Sequence, residues 1–313
     1  MIRQISLLLV GSVLWSASAA LPLAKAQRTP QVPKPQTVRI PTKDGMILVA
    51  TYYRSTQGKD AVPVLMIHNL RGSRADFHPL AVYLQRQGFA VLVPDLRGHG
   101  ESRQTRFSNR PVNVEDLSRR QYRAFLIDIE ACKRYLIARN NQGELNIDKL
   151  CLVGAEFGAV LGMLWAHQDW QWPPLATGKQ GQDVKALVLL SPKRRMHGMD
   201  CNRVLVQPVL RNILAVYILA GGQNTEYRKE AEKIYDMIYK YRRKKLERNP
   251  GAPLVKLLLV RNVRFQGTSL ILQLKPATRQ QLAARVAEFL HVQVRQKAIP
   301  WQKRSSPLEE NSE

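Results

Sequence analysis

Cysteine is scarce in this chain: three residues, Cys132, Cys151 and Cys201, among 313. They allow one intrachain disulfide at most, and no C-x-x-C pair is present. Cys132 falls on the apolar face of a predicted helix and Cys151 in a predicted strand, so buried free thiols are expected. The six histidines are scattered without ligand spacing, and neither a metal nor a cofactor is expected. Acidic residues are the second shortage, with 24 Asp and Glu against 48 Lys and Arg, a net charge of +24. A surplus of that size bears on solubility and anionic partners rather than on fold. The third shortage is long apolar runs. Ile5–Trp15 is too short to span a bilayer comfortably.

What is present is a globular composition, since 45% hydrophobic residues exclude disorder throughout. The N-terminus, MIRQISLLLVGSVLWSASAALPLAKAQ, places Arg3 before the apolar run and small residues after it. Cleavage is expected after Ser18-Ala19-Ala20 or after Ala24-Lys25-Ala26. Residues 1–26 are therefore read as a signal peptide, and the protein as exported, periplasmic or secreted; an uncleaved membrane anchor is the alternative. Three prolines make 27–37 an extended tether.

From there the pattern alternates. Val38–Pro41 and Met46–Tyr53 read as a β-hairpin turning through Lys43-Asp44-Gly45. Val62–His68 is an apolar run of the kind buried on both faces of a parallel sheet and Ala90–Pro94 the next buried strand, while Lys149–Val153, Val184–Leu190, Leu214–Leu219 and Val255–Val260 supply four more strands. Helical spacing appears at Phe77, Leu80, Ala81 and Leu84, and again from Tyr122 through Leu136. Two further helices are predicted over Glu226–Arg248 and Arg279–His291. Strands alternating with helices predict a doubly wound, mostly parallel α/β sheet with an N-terminal β-hairpin and no large lid domain. Residues 38–291 form the domain, and 292–313 a C-terminal tail without fixed structure.

Within that order, Cys151–Met163 (CLVGAEFGAVLGM) runs strand, glycine-flanked turn, apolar helix, with Glu156 at the apex of Gly154-Ala155-Glu156-Phe157-Gly158. Asp95-Leu96-Arg97-Gly98-His99-Gly100-Glu101-Ser102 follows the strand at 90–94, and His68-Asn69 the strand at 62–68. Together these resemble an α/β-hydrolase across residues 38–291, the middle motif being similar to that family's D-x-R-G-x-G-x-S turn. The resemblance implies a nucleophile at the elbow, beside backbone N–H donors from Asn69, Leu70 and Phe157. It also implies a histidine after the last strand and an acid after the strand at 214–219.

Each of those three positions departs from the family pattern. Glu156 stands where serine is usual. The segment Val263–Thr268 has Gln266 where histidine belongs, and an amide has no pKa near neutrality with which to shuttle a proton. Gly221-Gly222-Gln223-Asn224 places Asn224 where aspartate would sit, and asparagine cannot stabilise an imidazolium electrostatically. Three departures in one constellation predict that serine–histidine hydrolysis is lost and that Glu156, Gln266 and Asn224 form a hydrogen-bonded plug. The chain is then a binding or scaffolding protein. The alternative is an active hydrolase, esterase-like or similar to the dehalogenases and epoxide hydrolases, with Glu156 as carboxylate nucleophile. His197 is the histidine best placed to substitute as its base.

The cations that follow the strands predict an anion site at the crevice: Arg71, Arg74, Lys193, Arg194, Arg195 and Arg264. An anionic small molecule or a polyanion is expected there, and contact with a membrane surface is the second partner class; nucleic acid is not expected. The run Tyr239–Arg248 reads as a solvated helix face, and Trp165, Trp170 and Trp172 as core and loop anchors.

Overall fold

The computed structural model describes residues 31–175, 178–249 and 251–304. The expected signal peptide and the end of the tail lie outside the described residues.

Strand β1 (Gln36–Pro41) and β2 (Met46–Tyr53) form the hairpin, turning through Thr42–Gly45. Next come β3 (Pro63–Ile67), α1 (His78–Arg86), β4 (Ala90–Pro94) and a two-residue β5 (Gln104–Thr105). After them follow α2 (Phe125–Asn141), β6 (Leu150–Ala155), α3 (Phe157–Gln171) and β7 (Val184–Leu190). A small excursion then inserts the β8–β9 ribbon (Arg195–Met196 and Met199–Asp200) and α4 (Asn202–Leu205). The chain finishes with β10 (Ala215–Gly221), α5 (Thr225–Arg248), β11 (Val255–Val260), α6 (Ser269–Leu272) and α7 (Pro276–Leu290).

The main sheet runs β1-β2-β4-β3-β6-β7-β10-β11, antiparallel through β2–β4 and parallel from β4 to β11. This is the predicted doubly wound architecture. The excursion after β7 is short, as the absence of a large lid requires. Strand alternation divides the core in two, because successive side chains point to opposite faces. Leu152, Leu187 and Leu189 join one cluster with residues of α2, α3 and α5. Cys151, Val153, Val188 and Leu190 join the other with α1 and α7. All three cysteines are buried and unpaired, as expected from their positions.

Three local features differ from the sequence reading. The long helix starts at Phe125 rather than Tyr122, which sits in a preceding single turn of 3-10 helix. Residues 292–304, expected in the unstructured tail, are docked at the N-terminal ends of the strands. Asn146 donates to the Ile299 carbonyl (3.0 Å), Trp301 Nε1 to the Leu145 carbonyl (3.1 Å), and Lys59 lies 4.0 Å from the centre of the Trp301 ring. Arg304 reaches a buried ionic cluster of Asp148, Asp183, Lys179, Asp169 and Lys133. Periodicity reads only regular elements, and beyond the helical turn His291–Arg295 this clasp has none. Thirdly, the basic run on α5 is not uniformly solvated. Arg242 is buried and donates to the carbonyls of Leu210, Arg211, Pro253 and Leu254.

Candidate active site

The elbow is built as its glycines predict. Glu156 adopts φ 48°, ψ −105°, a left-handed conformation that is strained for any residue with a Cβ. Gly154 and Gly158 permit the turn: a Cβ on Gly158 would meet the Ile67 carbonyl, and one on Gly154 the Gly158 carbonyl. The carboxylate thereby stands beyond the C-terminal end of β6, where ligands bind in open parallel sheets. Phe157 opens α3, so its N–H has no intrahelical acceptor.

Glu156 accepts a hydrogen bond from the Tyr227 hydroxyl at 3.1 Å. Burial raises its pKa above the ordinary 4.5, opposed by the Tyr227 hydrogen bond and by the Lys193 charge. Gly267 packs directly on the Glu156 side chain, leaving no room for a Cβ. The segment after β11 therefore reaches the elbow, as the family resemblance requires of the chain that carries its histidine.

Gln266 is pinned nearby. Its Oε1 accepts from the Ser191 hydroxyl at 2.7 Å, and its Nε2 donates to the Arg264 carbonyl at 3.2 Å. Ser191 Oγ in turn accepts from the Gly267 N–H at 2.9 Å. Ser191 follows β7 directly, with φ 52°, and sequence reasoning missed it. A polar residue ending a buried strand was the available signal. Asn224, expected as the third member, caps α5 instead, its Oδ1 accepting from Tyr227 N–H at 3.3 Å. The expected three-residue plug is therefore corrected to two separate contacts, Glu156 with Tyr227 and Gln266 with Ser191. The helix start after β10 takes the asparagine as a cap, which leaves its carbonyl oxygen committed to the backbone.

Glu156 opens onto a cavity of about 370 Å³ lined also by Asn69, Leu70, Arg71, Tyr122 and His197. The Asn69 side-chain oxygen is occupied, accepting from the Thr268 hydroxyl at 2.8 Å. The His197 ring stacks on Tyr122 with centroids 5.4 Å apart and planes 10° from parallel, and meets Phe157 edge-on at 5.6 Å. Its pKa is lowered by partial burial and by the charges of Arg119, Arg71 and Lys193, which keeps the ring neutral at pH 7. His68 and His99 are buried in the architecture of the post-strand turns. Leu96 N–H donates to His68 Nε2 at 3.0 Å, and burial beside His99 lowers the His68 pKa to about 4. Arg97 is held between Asp44 (2.7 Å) and Asp128 (2.6 Å), so the D-x-R-G turn is internally paired.

The predicted cation cluster needs correction. Lys193 pairs with Glu226 at 2.7 Å, Arg194 with Glu230 at 2.7 Å, and Arg195 with Asp200 at 2.8 Å. Arg74 pairs with Asp95 and Glu101. Their carboxylate partners come from α5, from β9 and from the turn after β4, which the linear sequence does not place beside them. Arg71, in the cavity wall, and Arg264 form no ion pair among the described residues. Trp165 is fully buried and Trp170 donates to the Val184 carbonyl at 2.8 Å, consistent with anchoring roles.

The chain belongs to the alpha/beta hydrolase fold family, whose model matches residues 62–218. Among solved structures it is similar to an esterase of Pyrococcus furiosus, with TM-score 0.58 and 16% identity over 83% of this chain and 92% of that one. It is also similar to a Pyrobaculum calidifontis esterase, with TM-score 0.55 and 13% identity over 83% and 85% of the two chains. A dienelactone hydrolase from Anabaena variabilis matches at TM-score 0.53 and 15% identity, over 84% of this chain and 99% of that one. At such identities the likeness is one of fold. No curated protein matches the chain.

Proposed function

We propose that this member of the hydrolase fold family binds a small molecule in the elbow crevice and does not cleave esters by serine–histidine chemistry. One observation carries the reading. The residue at the family's histidine position is an amide, Gln266, engaged by the Ser191 hydroxyl beside the elbow. An amide can orient a ligand, but it cannot take and return a proton at neutral pH. The Tyr122–His197 stack offers a flat aromatic wall for the ligand, with Arg71 available to an anionic group. The apolar N-terminal run with its following small residues supports export as the setting in which such binding operates.

A second reading rests on a separate observation: His197 lines the same cavity as Glu156. In it the Glu156 carboxylate attacks an alkyl carbon bearing a halide or an epoxide oxygen. An alkyl ester forms on the enzyme as the leaving group departs, and water deprotonated by neutral His197 hydrolyses it. The esterases and the dienelactone hydrolase that share the fold support hydrolysis as the reaction class to assay first.

A panel of aryl esters, haloalkanes and epoxides, assayed with wild type, Glu156→Gln and His197→Ala, separates the two. The binding reading expects no turnover in any of the three, and Glu156→Ser alone should not create any. Turnover by wild type that disappears in both Glu156→Gln and His197→Ala would establish the carboxylate mechanism instead.

A further inference from the structure

The pairing of Lys193, Arg194, Arg195 and Arg74 leaves the positive excess elsewhere. One group of unpaired cations lies where the loop after β4 meets the β1–β2 turn. Gln104 and Thr105 pair with Ile47 and Met46, and Arg106 N–H donates to the Gly45 carbonyl at 2.8 Å. Val112 N–H returns to the Arg103 carbonyl at 2.8 Å, closing 103–112 into a projecting loop. Arg39 joins it through a hydrogen bond to Gln104 Oε1 at 3.3 Å. Arg39, Arg103, Arg106 and Arg110 are thus carried by one exposed edge, and among the described residues none of the four is ion-paired; Lys43, in the adjoining turn, lines a pocket with residues of α2 and α3 instead. The acid in the turn, Asp44, is already held by Arg97.

At the apex of this edge stands Phe107, 82% exposed, the most exposed of the large hydrophobic residues described. Its ring rests on Gly45, where φ is +88° and a Cβ would occupy the space of the ring. The glycine props one side of the ring and leaves the rest in solvent. An isolated exposed hydrophobic residue needs no explanation. A propped aromatic ring on a loop that also carries the unpaired Arg103, Arg106 and Arg110 does, because the cations would repel one another and the ring would stay in water.

We propose that this edge is a docking surface for an anionic lipid bilayer, with Phe107 entering the headgroup–acyl boundary and the surrounding arginines engaging lipid phosphates. Arginine forks match phosphate geometry, and basic residues close to an anionic leaflet each add attraction that decays within a Debye length. One apolar anchor among cations fits an interface with a shallow apolar layer below charged headgroups. A polyanion without such a layer would give the ring nothing to enter. Docking here is independent of the chemistry in the crevice.

The test is co-sedimentation of the full chain with vesicles of phosphatidylcholine alone and of phosphatidylcholine mixed with phosphatidylglycerol. Binding is expected only to the mixed vesicles, and it should weaken steeply above about 0.1 M salt. Arg103→Ser, Arg106→Ser and Arg110→Ser together should weaken it roughly a hundredfold, at about fivefold per arginine. Phe107→Ala should weaken it about tenfold. Arg243→Ser with Lys244→Ser, on α5, should change nothing, and melting curves of all variants should coincide with wild type. Equal binding to both vesicle types would overturn the proposal. So would a triple variant that still binds mixed vesicles, or heparin binding through the same arginines by a protein that ignores vesicles.

Discussion

Lys133 gives the sharpest stability test in this structure. It projects from α2 into the core at 1% exposure, with Nζ 2.6 Å from Asp169, 2.9 Å from Asp183 and 3.0 Å from the Gln180 carbonyl. Both carboxylates are fully buried. Lys133→Met keeps most of the aliphatic stem but removes the cation. Breaking a buried ion pair from one side costs about 3–5 kcal/mol, because the remaining charge has no water to solvate it. The lower end applies, since Asp183 retains Lys179 and Arg304, and Asp169 retains the N–H groups of Asp183 and Val184. A loss of about 3 kcal/mol corresponds to roughly 6–12 °C in Tm for a domain of this size.

The pH dependence has a definite sign. Burial alone would raise the Asp183 pKa, but Lys133, Arg304 and Lys179 outweigh it and hold the value below 3.8. Burial would likewise lower Lys133, but Asp183 and Asp169 hold it above 10.5. The advantage of wild type over the variant is therefore full between those two values. It shrinks below 3.8 as Asp183 protonates, and above 10.5 as the lysine deprotonates. Urea denaturation of both proteins across that range reads it directly. A loss smaller than about 1 kcal/mol at neutral pH, the size of a surface pair, would refute the reasoning.

Glu156→Gln should be at least as stable as wild type at neutral pH. The raised Glu156 pKa means that ionising it costs the fold, so wild type loses stability relative to the amide as pH rises through and above 4.5; a relative gain in Tm scans over that interval would contradict this. Gly158→Ala should destabilise by at least about 2 kcal/mol, since the new Cβ meets the backbone carbonyls of Ile67 and His68, which cannot yield as a side chain can. Thermal unfolding at the wild-type temperature would show the elbow to be more plastic than its geometry implies. Removing residues 299–313 deletes the bonds from Asn146, Asn140 and Trp301 and the ion pairs of Arg304. At about 1 kcal/mol net per hydrogen bond the loss should reach roughly 3 kcal/mol. Ligand binding in the crevice should survive, because the clasp lies at the opposite ends of the strands.

The elements were legible in the linear chain wherever a single period governed them. Val184–Leu190 and Val255–Val260 are apolar apart from one lysine each, and they form β7 and β11 with those same bounds. Gly154 and Gly158 marked the elbow because only glycine lets α3 approach β3 and β6 so closely. Glu156 and Gln266 were found by their order after particular strands, and the packing of Gly267 on Glu156 brings those two segments together. Which partner each residue takes was not legible. Ser191 took the place beside Gln266 and Tyr227 reached the elbow carboxylate, both through contacts spanning more than 70 residues, while Asn224 was drawn into capping its own helix three residues on. The same holds for charge. The sequence counts cations but not distances, and only the folded chain shows Glu226, Glu230 and Asp200 neutralising Lys193–Arg195 while the arginines around Phe107 stay unpaired. Local hydrophobic period sets elements because each strand or helix must bury its own apolar face. Pairing of polar groups depends on which loops the sheet order makes neighbours, and that order exists only once the whole sheet has formed.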